Sequence, residues 1–199
     1  MFLSRIFGGV VFFAALHRTG GLIDGMRGAT SVRDWRLDRG ISRWLLSMMR
    51  VETSKQRKLS EALLGKAVEF HGHGGPFMVV GLRMGLTALN RLDAHGWFDL
   101  RCRVKLRWRP PNSCVIDGVQ SSTGCTVGKR NIEVEEGEGI AAEFSKGDET
   151  LIIVLKQEVL EKVLGTLAEE GEEQVKSLVD GLIEASDNDL FEFPHQVSL

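Results

Sequence analysis

The chain has 199 residues, with hydrophobic residues at 43% and charged residues at 26%, the proportions of a soluble globular protein. That length supports one domain with a real core and some added helices, and a formal net charge of -2 gives no global nucleic-acid or membrane signal. Three Cys are too few for a disulfide scaffold, so an intracellular, cytoplasmic setting is expected.

The first fifty residues stand apart. Their cations are all Arg (Arg5, Arg18, Arg27, Arg33, Arg36, Arg39, Arg43, Arg50), with no Lys. A mostly apolar run from Ile6 to Leu16 lies between Arg5 and Arg18 and is too short to span a bilayer. It has the size of a signal-peptide core, but no convincing small-residue cleavage site follows before the Arg-rich stretch. Three readings stay open: a signal or anchor, a genuine extension, and translation from an upstream start with the native protein beginning near Met48 or Met49. No membrane partner is expected.

Residues 55 to 70 read as an amphipathic helix, with Leu59, Leu63 (or Ala62), Ala67 and Phe70 at helical spacing. Gly72, Gly74 and Gly75 break it. Pro76 suits the first turn of a second helix, which runs to about Leu92 on a stripe of Val79, Val80, Leu82, Leu86 and Leu89. Residues 100 to 109 alternate without a fault, Leu100, Cys102, Val104, Leu106 and Trp108 on one side and Arg101, Arg103, Lys105, Arg107 and Arg109 on the other. That is a strand with one buried face. Pro110 and Pro111 end it, and Asn112 or Ser113 caps a short helix to about Ser122. Strands follow at about 131–135, 139–145 and 150–156. Two acidic helices, about 157–168 and 172–185, lead into a tail, 186–199, expected to fray.

This order predicts an α+β fold: a mixed, mostly antiparallel sheet of about four strands, with helices packed on one face and a helical C-terminal extension. The expected division is 1–50, an Arg-rich extension; 51–156, the α+β domain; and 157–199, an acidic helical extension.

Two polar constellations carry the chemistry. His71 and His73 sit in a Gly-rich turn; if it is extended, residues two apart point to one side. Cys114 opens the short helix, whose positive end should lower its pKa, and Asp117 is one turn on. Cys125 follows that helix. The spacing of the two thiols suits neither a zinc knuckle nor a Cys-x-x-Cys pair. Cys102 reads as a small apolar residue of the strand. His73, Cys114 and Cys125 would give zinc or another divalent transition metal three ligands and an open position. Asp117 or His71 would take the fourth place, orient a ligand, or act as general base. The run Gly124-Cys125-Thr126-Val127-Gly128-Lys129 is not a Walker loop, having three residues between its glycines in place of four and Arg130 where Ser or Thr is needed, though Lys129 and Arg130 could meet an anion. The strand cations are expected to pair with Glu133, Glu135 and Glu143, or to be covered by the acidic helices, so no nucleic-acid partner is expected.

These residues also carry a family resemblance. Phe70-His71-Gly72-His73, then Pro76 and Gly81-Leu82-Arg83, resembles the opening motif of the FmdE family of formylmethanofuran dehydrogenase subunits. Ser113-Cys114 through Asp117, Gln120, Thr123-Gly124-Cys125-Thr126 and Gly128-Lys129 resembles its second motif. The likeness covers roughly residues 57 to 156. The family pattern reads His-Gly-His-x-Cys-Pro-Gly; here Gly75 stands at the Cys position and Phe77 at the last Gly. No Cys follows Cys125 in this sequence, so the zinc ribbon of some members is not expected here. The resemblance implies the same kind of fold and a homodimer. Two functions are then expected as alternatives. One is a metal- or thiol-dependent enzyme, or a component of one, acting on a small carbonyl-bearing or anionic compound, with Lys129 meeting its charge. The other is a metal-binding accessory protein that docks on a larger redox complex through its acidic helices.

Overall fold

The computed structural model describes residues 57–169, 171–194 and 196–198. The Arg-rich extension, its apolar run, and Met48 and Met49 lie outside them.

Helix α1 (Glu61–His71) begins where Ser60 Oγ accepts a hydrogen bond from the Leu63 amide, later than the expected residue 55. It ends at Gly72, whose φ of 97° is the left-handed conformation that glycine adopts freely. Helix α2 (Pro76–Arg91) has Pro76 in its first turn and is buried without a break from Pro76 to Leu89. A helix buried on every side belongs at the centre of a fold, and α2 is that centre. Helix α3 (Cys114–Thr123) packs against both α1 and α2.

The sheet has strands β1 (Arg101–Leu106), β2 (Ile132–Glu136), β3 (Ile140–Lys146) and β4 (Glu149–Leu155) in the order β2-β1-β3-β4. β1 and β2 run parallel, with α3 in the connection between them; the other pairings are antiparallel. The expected mixed, mostly antiparallel sheet with helices on one face is therefore found. Cys102, Val104 and Leu106 of β1, Ile140, Ala142 and Phe144 of β3, and Leu151, Ile153 and Leu155 of β4 form its buried face.

The outer face carries the expected cross-strand pairs. Arg103 reaches Glu133 at 3.4 Å and Glu143 at 3.8 Å, and Lys105 reaches Glu135 at 3.3 Å. All are about half exposed, so they favour this strand register more than they add stability. The acidic helices do not shield this face. They are α4 (Gln157–Glu169) and α5 (Glu172–Glu184), and α5 lies on α2. There the buried Arg83 donates to the carbonyls of Leu182 (2.8 Å) and Ile183 (2.9 Å) and to Asp187 (2.9 Å), satisfying the open C-terminal end of α5.

The expected frayed tail is folded through its first part. Ser186 and Asp189 form a reciprocal capping box that opens a short helix, α6 (Asp187–Leu190). Leu190 and Phe191 are buried, and strands β5 (Phe191–Glu192) and β6 (Gln196–Ser198) both add to β4. Arg91 also lies over the Phe193 ring, 3.5 Å from its centroid.

Candidate functional site

His71 is the last residue of α1 and Asp117 lies in the first turn of α3, 46 positions apart. The packing of α1 on α3 brings His71 Nδ1 to 2.7 Å from Asp117 Oδ2. Gln120, one turn further along α3, donates to the other carboxylate oxygen at 3.5 Å. The His71 side chain is only 7% exposed, against 35% for Asp117. In the neutral tautomer that gives Nδ1–H to the carboxylate, Nε2 holds the free lone pair of the ring. That atom is buried and has no hydrogen-bond partner. A buried acceptor left open in this way is costly in an ordinary core. It suits an imidazole that binds a metal ion or takes a proton, and a carboxylate on the second nitrogen is the usual companion of such a ring.

His73 is exposed, and its ring centroid lies 4.5 Å from that of His71, the planes tilted by 57°. The two imidazoles are brought together, though not by an extended segment: His71 ends α1 and Gly72 turns the chain in the left-handed conformation. Cys114 opens α3, half-buried and close enough to Asp117 to feel its charge. Its pKa is raised, not lowered as a helix N-terminus would have it. Burial is the main cause and the Asp117 carboxylate adds to it; the backbone hydrogen bond at the helix start opposes them without prevailing.

Cys125 is elsewhere. A helix of this length separates its two ends by about 15 Å, so thiols bracketing α3 do not meet at one point. Cys125 is buried, with its Sγ at 3.4 Å from the Leu100 carbonyl, and it lies near Cys102, whose pKa it helps to raise. Lys129 is at that end too. It belongs to a 3-10 turn (Val127–Lys129), its Nζ rests 3.2 Å from Thr126 Oγ1, and its charge acts on Cys125. Among the described residues, no group of three or more His, Cys, Asp and Glu side chains is placed to hold one ion. His73, Cys114 and Cys125 are therefore not gathered into the expected triad. What the fold assembles is His71, Asp117 and Gln120, with His73 and Cys114 beside them.

Two contributions escaped the sequence reading. Gln120 was visible only as a motif residue, although a spacing of three from Asp117 places it on the same helix face. Asn131 was not singled out; it brackets the far end of the crossover by accepting from Thr126 N and donating to the carbonyls of Trp97 and Leu100. Nothing in local patterning marks an Asn for that task.

The family model described as FmdE, Molybdenum formylmethanofuran dehydrogenase operon, matches residues 70–192, from the residue before His71 to the end of β5. The chain belongs to the FmdE family. It is similar to a probable S-adenosyl-L-methionine-binding protein of Archaeoglobus fulgidus, 38% identical over 87 residues, which are 41% of this chain and 22% of that protein. The chain thus spans about a fifth of the length of this curated relative. Among solved structures it resembles the crystal structure of a tungsten formylmethanofuran dehydrogenase FmdE-like protein from Syntrophus aciditrophicus. The TM-score is 0.52 and the identity 21%, covering 75% of this chain and 78% of that one, which is a likeness of fold. Among the described residues, no helix is long and apolar enough to cross a membrane.

Proposed function

We propose that this FmdE-like protein works through His71, with Asp117 and Gln120 behind it and His73 and Cys114 at its side. The reading is an enzyme, or a component of one, acting in the cytoplasm as a homodimer, that takes a small carbonyl-bearing or anionic compound. The observation that carries it is the buried, unpartnered Nε2 of His71 on a ring fixed from behind by Asp117.

The donor chemistry fits zinc or another divalent transition metal: imidazole, with thiol nearby, is the ligand type such ions prefer. His71 Nε2 would be the first ligand; His73 and Cys114 are not gathered round it into a ready ligand set and would have to shift to complete one. A metal bound there would polarise a substrate oxygen or acidify a water. The chain's own residues do the rest. Asp117 fixes the His71 tautomer and ring plane, Gln120 holds the carboxylate, and burial keeps bulk water from Nε2. Cys125 and Lys129 lie at the other end of the crossover and have no part in this reading. The ligand named for the Archaeoglobus relative is not carried over, because so little of that protein is covered.

The test is a cobalt titration of the full chain, followed by elemental analysis after growth in metal-rich medium. Cobalt should bind the wild type and the Cys125→Ser variant, and binding should be lost in His71→Ala. Less than about a tenth of an equivalent of any transition metal in the wild type removes the metal from the proposal.

A second reading, an accessory protein that docks on a larger redox complex, is favoured by one observation. A groove of about 450 Å³ opens along α4 and α5, floored by Leu178, Leu182 and Leu190. Exposed Glu158, Glu161, Glu172, Glu173, Asp180 and Glu184 on the same two helices outnumber Lys162 and Lys176. The partner this suits is a segment apolar on one side and basic at its flanks. A Leu178→Lys variant that loses a co-purifying protein yet keeps its metal would favour docking.

A further inference from the structure

His73 sits in a turn with Gly72, Gly74 and Gly75 around it, and Gly75 is buried. A Cβ built at position 75 would meet His73 Cε1 at 2.7 Å and Nδ1 at 3.0 Å. Any side chain there would push the imidazole away. The space that the missing side chain leaves is filled by the His73 ring, which is exposed on its outer side and lies against His71 on its inner side. His71 Nε2 is buried beside this ring, and yet His73 gives it no hydrogen bond. A ring that covers an acceptor without satisfying it gains little by staying, and three glycines leave its backbone free to turn.

We propose that His73 is a swinging cover over His71 Nε2, and that Gly75 is the residue that lets it close. A metal ion, or any Lewis-acidic or hydrogen-bond-donating group, reaches Nε2 only when His73 moves out toward solvent. Gly75 and His73 together therefore set which ligands enter: those able to displace the cover, or to recruit its imidazole as a second donor. This rests on the reading of His71 as the working imidazole, but the cover itself can be tested without any ligand.

The experiment is carbethoxylation of the full-length protein with diethyl pyrocarbonate, which attacks the free nitrogen of a neutral imidazole. Each histidine is followed by fragment-resolved mass spectrometry at early times. In the wild type His73 should react readily and His71 slowly. Reactivity scales with the uncovered fraction, so a cover open about a tenth of the time predicts that His71 reacts about tenfold faster in His73→Ala. Gly75→Ala should act in the same direction by displacing the ring. If Gly75→Ala fails to fold, His73→Ala alone decides. An unchanged His71 rate in His73→Ala, or a wild-type His71 that reacts as fast as His73, overturns the cover. Should His71 be unmasked in His73→Ala while cobalt never binds, the cover stands and the metal reading falls.

Discussion

Gly81 of α2 and Gly118 of α3 cross in backbone contact. A Cβ on Gly81 would lie 2.0 Å from the Val115 carbonyl oxygen, and one on Gly118 would lie 2.1 Å from the Met78 oxygen and 2.6 Å from the Leu82 nitrogen. Gly118 directly follows Asp117, so this crossing sets how near the carboxylate comes to α1. Gly118→Ala cannot be absorbed by a flexible side chain, because what it meets is backbone. It should destabilise by about 1–3 kcal/mol or more in urea unfolding and should weaken metal binding with it. Gly165→Ala on α4 meets nothing within 4 Å and should stabilise by up to about 1 kcal/mol.

Asp117→Asn keeps the shape of the side chain and removes its charge. The His71 ring then loses the carboxylate that sets its tautomer. Cobalt or zinc affinity should fall by about 10–100-fold with little loss of melting temperature, measured by competition with a chelator. Gln120→Ala should show a smaller drop in the same direction.

Thiol alkylation tests the electrostatics of Cys114. Burial first, and the Asp117 carboxylate second, disfavour its thiolate, so its pKa lies above the ordinary thiol value. The iodoacetamide rate in metal-free protein should therefore still be climbing where a free thiol has levelled off. Asp117→Asn removes the second cause and should move the midpoint down. A midpoint below the ordinary thiol value in the wild type would mean that the helix start prevails after all.

Cys102 and Cys125 give a stability test. Both have raised pKa values, Cys102 through burial and then its neighbour Cys125, and Cys125 chiefly through burial. Below the unfolded thiol pKa both states hold these protons and stability does not depend on them. Above it, the unfolded chain releases them while the native state keeps them, so stability falls as pH rises. The slope is at most about 1.4 kcal/mol per pH unit for each thiol. Cys102→Ala should flatten the decline between roughly pH 9 and 10.5, as read by urea unfolding at each pH.

Much of the fold was legible because its signals are local. The faultless alternation of β1, Pro76 at a helix start and Gly72 at a helix end each fix structure within a few residues. The tail was missed because its order depends on β4, a partner distant in sequence, although Ser186 and Asp189 carried the capping signature. The site was legible in composition and only partly in arrangement. His71 and Asp117 stood out as site residues, yet nothing within either motif says that one orients the other. The grouping of Cys125 with Cys114 failed for a reason the sequence did contain: ten helical residues hold two ends apart.

The pairing of β5 and β6 with β4 means that the last few residues close a flank of the sheet that would otherwise be bare. A chain cut after Ala185 would leave the outward amides and carbonyls of β4 as a template for another molecule's strand. Such a shortened protein should precipitate by edge-to-edge association even with its imidazole centre intact, so purification tags belong at the other terminus.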